Sequence, residues 1–209
     1  MKMRRKNSNS FKLPHAKLIA AALISVLLAG CAAVAPSLKK EHAGVKTQVM
    51  VTLTSQKGKL KKKCTLAWSE PYFRMEVRGF LNEPVAALSA DAGHLRIYLY
   101  QSNLYYDEEV KDAGPALCRL FSGSSANPFI IKLNRNTLNF KLKYEQLRDG
   151  SELPYAVELY GKESGAKINF IRPDTSFVYD PELFRLKVPE TAVKISEDAI
   201  VRSLESWIN

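Results

Sequence analysis

The chain has 209 residues, 46% hydrophobic and 10% aromatic, with a formal charge of +10 and only three cysteines and three histidines. That length suits one domain burying roughly 70% of the surface its unfolded chain exposes, and so few cysteines and histidines leave little to build a metal or redox centre. The charge is uneven: Lys2, Arg4, Arg5, Lys6, Lys12 and Lys17 open the chain with no acid among them, which leaves 25 basic residues against 21 acidic ones after residue 30. So slight an excess does not argue for nucleic acid. Anionic lipid headgroups match the remaining basic surface better.

Behind the basic opening runs an apolar stretch, Leu18 to Leu28, broken only by Ser25. It is too short to span a bilayer and has the layout of an export signal. It ends in Leu27-Leu28-Ala29-Gly30-Cys31, which closely resembles the lipobox of bacterial lipoproteins. The resemblance implies a diacylglycerol thioether on Cys31, cleavage after Gly30 and acylation of the new amino terminus; an ordinary export signal with a chance cysteine is the alternative. The expected organisation is a signal peptide over 1–30, a lipidated flexible tether over 31–44, and one domain over 45–209. His42 falls in the tether and is incidental. Once Cys31 carries lipid, Cys64 and Cys118 remain. An exported protein permits a disulfide, and the even count raises that expectation. Two separate buried thiols satisfy the sequence equally well.

From Val45 the hydrophobic period is two. Val45, Thr47, Val49, Val51 and Leu53 alternate with polar neighbours, as in a half-buried strand. Gln56 to Lys59 turns. Leu60, Cys64, Leu66 and Trp68 then share a face opposite Lys61, Lys63 and Thr65, with Lys62 breaking the apolar row. Glu70-Pro71 breaks the chain, and Phe73, Met75 and Val77 alternate with Arg74, Glu76 and Arg78. Residues 79–84 (GFLNEP) form a short connection carrying Phe80 and Leu81. Strands follow at Val85 to Ala90, at Leu95, Ile97 and Leu99, and at Leu104 to Tyr106. Asp107-Glu108-Glu109 is expected to be a solvated turn.

One helix is expected after Gly114-Pro115, with Ala116, Leu117, Leu120 and Phe121 as its apolar stripe. Strands return at Phe129 to Leu133, at Leu138, Phe140, Leu142 and Tyr144, at Tyr155, Val157 and Leu159, and at Ile168 and Phe170. A further strand is predicted at Phe184, Leu186 and Val188. The tail from Ser196 is an amphipathic helix, with Glu197 and Asp198 in its first turn and Ile200, Val201, Leu204, Trp207 and Ile208 on one face. About ten strands and two helices, without crossovers or repeats, make the class mostly β (α+β).

The residues name no catalytic machinery. His94 is isolated in a turn, no serine sits in a G-x-S-x-G elbow, and no Gly-rich phosphate loop is present. An enzyme is not expected, nor a cofactor or a metal. What the chain offers is apolar bulk, with 18 Phe and Tyr. Phe73, Met75, Val77, Leu95, Ile97, Leu99, Phe140 and Leu142 line either a packed core or a cavity for acyl chains, since both need the same alternation.

The ordered set of an exported tether, antiparallel strands, the stretch 73–88 (F-R-M-E-V-R-G-F-L-N-E-P-V-A-A-L), Tyr105-Tyr106, a helix, and L-P-Y-A-V-E-L-Y at 153–160 resembles the LolA/LolB superfamily of bacterial lipoprotein carriers and receptors over most of residues 45–190. The resemblance implies a curved antiparallel half-barrel of about eleven strands with a helical lid and an acyl-chain cavity. It further implies an outer-membrane, periplasm-facing protein that takes lipoproteins or lipid, from a periplasmic carrier in the receptors of this family. Phe80 and Leu81 match the loop whose apolar residue is proposed to enter the membrane in receptor-like members. At least one of the two is expected to fold back onto the core, with Leu81 the one to stay exposed. A structural lipoprotein that braces an envelope assembly is the rival reading.

Overall fold

A computed structural model describes residues 43–55, 58–125, 129–133, 136–146, 153–160 and 164–206. The signal, Cys31, His42, most of the tether, and Trp207 and Ile208 lie outside the described residues.

Among the described residues, eleven strands form one sheet. They are β1 (Ala43–Ser55), β2 (Gly58–Ser69), β3 (Tyr72–Arg78), β4 (Pro84–Ala90), β5 (His94–Leu99), β6 (Leu104–Glu109), β7 (Phe129–Leu133), β8 (Asn136–Gln146), β9 (Pro154–Tyr160), β10 (Ser164–Val178) and β11 (Val193–Lys194). Among the described residues, three helices accompany them: α1 (Ala113–Ser122), α2 (Pro181–Phe184) and α3 (Glu197–Ser206). The spatial order is β11-β6-β5-β4-β3-β2-β1-β10-β9-β8-β7. Every pairing is antiparallel except β11 with β6, and the two ends of the sheet do not meet.

The period-two pattern explains the layers. Across β1 and its neighbours, Val49 faces Cys64 on one side and Phe170 on the other, and Val51 is set against Ile168. Across β3 and β4, Phe73 pairs with Ala90 and Met75 with Leu88. These residues are buried and belong to one hydrophobic core on the concave face. Helix α1 supplies the other half of that core, through Leu117, Cys118, Leu120 and Phe121. Its start is docked on two turns: Gly114 N–H donates to the Asp91 carbonyl at 2.8 Å. A Cβ at Gly114 would lie 1.9 Å from the Pro71 carbonyl oxygen, so only glycine fits there.

The structure corrects several expectations. β1 begins at Ala43, before the expected end of the tether. Residues 107–109 continue β6 instead of turning, because Asp107 and Glu108 pair with Arg96 and Leu95. α1 begins at Ala113, so Pro115 sits within its first turn. The strand predicted at Phe184 to Val188 is absent. Asp180 caps α2 by accepting from the Glu182 N–H at 3.0 Å, and residues 185–192 then run as a strap over the outer face. The alternation there is real: Phe184, Leu186 and Val188 are shielded while Arg185 and Lys187 are exposed. It packs onto a sheet surface, without a neighbouring strand.

The strap is fastened along its length. Ser89 Oγ donates to the Phe184 carbonyl at 2.7 Å and Arg74 to the Arg185 carbonyl at 3.1 Å. Phe184 is buried among Tyr72, Phe177 and Tyr179, with the Tyr179 ring centroid 5.5 Å away. Asn103 Nδ2 donates to the Thr191 carbonyl, and β11 then pairs with β6. This covering explains why Val85 to Ala90 is buried on both faces. Beyond β11, Ile200 of α3 returns to the core.

Candidate functional site

Two places carry the chemistry the sequence singles out: the concave face and the tip of the β3–β4 loop. On the concave face, the structure brings Phe73, Met75, Leu95, Ile97, Leu99 and Leu142 into one buried cluster, with the partly buried Val77 packed against it. The side chain of Phe140 lies outside the described residues. An aromatic group sits at the centre. Phe121 of α1 stacks on Phe73 at 5.1 Å between ring centroids, and Trp68 lies 6.3 Å from Phe121 and 6.2 Å from Phe170. Such pairs favour offset and edge-to-face packing. Helix α1 therefore occupies the space between the two arms of the sheet, in the position of a lid.

The start of α1 has no side-chain cap, whereas its end is closed by Gly123, whose N–H donates to the Arg119 carbonyl. Asp112 before it is left-handed (φ 58°), and Gly123 after it is left-handed at φ 82°. Its seat is held chiefly by apolar contact, reinforced at the start by Gly114. The adjoining Asp91 turn is well built: Asp91 Oδ1 accepts from the Gly93 and His94 N–H groups at 2.8 Å, and Oδ2 from Arg96 at 3.0 Å. Burial raises the Asp91 carboxyl, but these hydrogen bonds outweigh it and hold the group below the usual range.

Of the two arrangements left open for Cys64 and Cys118, the bridge is not formed. Both are free buried thiols. Cys64 belongs to the inner row of β2 beside Val49 and Val77. Cys118 projects from α1, where its Sγ donates to the Tyr72 carbonyl at 3.4 Å. Each is engaged with its own neighbours. Burial pushes the Cys64 thiol up to about 12 and raises Cys118 as well, so neither is a thiolate at neutral pH.

At the tip, the structure departs from expectation in the opposite sense. Neither apolar residue folds back: Phe80 is 100% exposed and Leu81 83%. The turn is a closed backbone unit. Gly79 N–H donates to the Glu83 carbonyl at 2.8 Å, Asn82 N–H to the Gly79 carbonyl at 3.2 Å, and Arg78 to the Asn82 carbonyl at 2.8 Å. Asn82 takes the left-handed conformation (φ 65°) that closes it. With the backbone turned inward on itself, the two side chains are presented outward.

Sequence reasoning missed the strap and the polar cleft of about 680 Å³ between it and the sheet, lined by Arg96, Tyr105, Asp107, Glu182, Arg185 and Lys187 among others. Most of its charges are mutually paired, Arg96 with Asp107 at 3.4 Å and Lys187 with Glu182 at 3.4 Å. The signal was the alternation from Phe184 to Val188 ending at Pro189. Among the described residues, no group of three His, Cys, Asp or Glu side chains is placed to hold a metal, and no helix is long and apolar enough to cross a membrane.

Fold and site together define an unclosed antiparallel half-barrel with a helical lid and an exposed apolar fingertip. No protein-family model and no curated protein matches the chain. Among solved structures it is similar to a LolA superfamily protein from Nitrosomonas europaea (5% identity, TM-score 0.44, covering 83% of this chain and 99% of that one). It is also similar to an uncharacterized conserved protein from Thermus thermophilus (10%, 0.43, 74% and 90%). A third is a Vibrio parahaemolyticus domain proposed to be an outer membrane lipoprotein-sorting protein (9%, 0.37, 68% and 89%). The likeness is weak, with each of these TM-scores below 0.5. At these identities it carries no residue roles to this chain.

Proposed function

We propose that this protein is a lipid-anchored receptor or carrier that accepts acyl chains of lipoproteins or lipids at the outer membrane. The observation that carries this reading is the Phe80–Leu81 tip: two large apolar side chains held in water by a hydrogen-bonded turn. Leaving such a side chain exposed forgoes about 1.5–3 kcal/mol relative to burial, and a surface that enters a membrane or meets an acylated cargo recovers it. Cys31 holds the domain to the membrane through its acyl groups. Ala32 follows it, where the enterobacterial sorting rule uses Asp to retain lipoproteins at the inner membrane, so the outer membrane is its destination. The acyl chain lies against Phe73, Met75, Leu95, Ile97, Leu99 and Leu142 once α1 moves off them. A periplasmic carrier hands over the cargo. No catalytic residue takes part.

The test is lipid content. The full chain with Cys31→Ala should co-purify with extractable lipid or take up a hydrophobic fluorescent probe in competition with fatty acids. A protein that never does so sinks the reading. Fractionation should place the wild-type protein in the outer membrane, and recovery in the inner membrane alone would reject that part. A second reading, a lipoprotein that braces an envelope assembly, is favoured by the close stacking of Phe121 on Phe73. It predicts no probe uptake at all.

A further inference from the structure

The outer face of the sheet carries two groups of lysines, treated differently. On β8 and β10, Lys143 and Lys167 are matched with acids: Lys167 Nζ lies 2.6 Å from Glu158 and 3.0 Å from Glu145, and Lys143 Nζ 3.7 Å from Glu145. On β2, Lys59, Lys61 and Lys63 alternate on one face and are exposed. Among the described residues, no acid lies within ion-pair distance of any of the three. Arg78, directly opposite Lys63 in the β2–β3 register, is committed to Glu76 and to the Asn82 carbonyl. Like charges repeated along one strand face repel one another, and a counter-charge from outside relieves them.

Their position gives the direction. Lys63 faces Arg78, the last residue of β3. The ladder stops at this pair, and the turn that carries Phe80 and Leu81 begins at the next residue, Gly79. The basic row therefore ends beside the exposed apolar tip. An acidic protein would supply the charge but gives no use to two bare apolar side chains beside the lysines. A bilayer supplies both, with anionic phosphates at its surface and acyl chains a few ångströms beneath.

We infer that Lys59, Lys61 and Lys63 form an electrostatic landing surface for anionic phospholipid, setting the angle at which Phe80 and Leu81 meet the bilayer. This deepens the membrane reading of the tip and rests on it for orientation. The experiment is amine-reactive footprinting of the full chain with vesicles of phosphatidylcholine alone or mixed with phosphatidylglycerol. A juxtamembrane lysine gains about a factor of 5 in binding from an anionic surface. Acetylation of Lys59, Lys61 and Lys63 should accordingly slow by about 5-fold with phosphatidylglycerol, recover at high salt, and stay unchanged at Lys187 on the strap. Equal rates in both vesicles overturn the inference. So does protection by a soluble acidic polypeptide without protection by vesicles, which would assign the row to a protein partner. The tip is read separately, by hydrogen–deuterium exchange over residues 79–83. Slowed exchange there without lysine protection overturns the landing surface and leaves the tip reading standing. Lysine protection that persists in Phe80→Ser while exchange at 79–83 never slows supports the charged surface and sinks the tip.

Discussion

The two ends of the β3–β4 hairpin show opposite uses of apolar residues. At one end, Phe73 and Ala90 lie under α1, with Phe121 stacked on Phe73 and Gly114 lodged against the Pro71 carbonyl. At the other, Phe80 and Leu81 stand in water on a turn closed by its own backbone. The hydrophobic effect acts equally on both ends; what differs is whether the chain supplies a partner surface. The sealed end accounts for stability and the open end is left for something outside the chain.

Substitutions that break the sealed end should have the largest effect. Phe121→Ala removes the ring that bridges Phe73, Trp68 and Phe170 and should cost about 3–5 kcal/mol in denaturant unfolding. A loss under about 1 kcal/mol would mean that α1 is loosely seated. Gly114→Ala drives a methyl into the Pro71 carbonyl and should cost about 1–3 kcal/mol, seen as a lower urea midpoint. The turn under α1 adds a pH dependence. The Asp91 carboxyl is depressed in the folded state, so its contribution is present above the ordinary carboxylate range and is lost as the pH falls through and below it. Thermal scans at decreasing pH should show Asp91→Asn losing less between neutral and acid pH than the parent does. Smallest in energy, but sharp in readout, are the thiols. Cys64 and Cys118 should resist iodoacetamide in the native protein at neutral pH, and both should react in denaturant without reductant. An unreactive pair in denaturant would restore the disulfide.

Much of the sheet was legible because period-two alternation is a local signal. Val49, Val51, Phe73, Met75, Leu95 and Ile97 face inward as their spacing requires. Three features were not: two depend on distant parts of the chain, and the third on a local backbone conformation that the hydrophobic pattern does not set. Phe184 to Val188 alternates like a strand, and only the tertiary course shows that it lies across the outer face, held by Ser89 and Arg74. The inner-face residues could line a cavity or a core until α1 was seen packed on them. The tip was expected to donate one side chain to the core. The closing hydrogen bonds of Gly79 and Asn82, which depend on a left-handed Asn82, hold both side chains out.

The central claim is that the tip is built to be bare, and Leu81→Glu tests it most directly. A surface substitution is worth about 0.5 kcal/mol or less, so the melting temperature should stay within about 2 °C of the parent. Slowing of hydrogen–deuterium exchange at residues 79–83 by vesicles should disappear. A melting temperature that falls as it does for Phe121→Ala, or vesicle protection that survives the charge, would contradict the account.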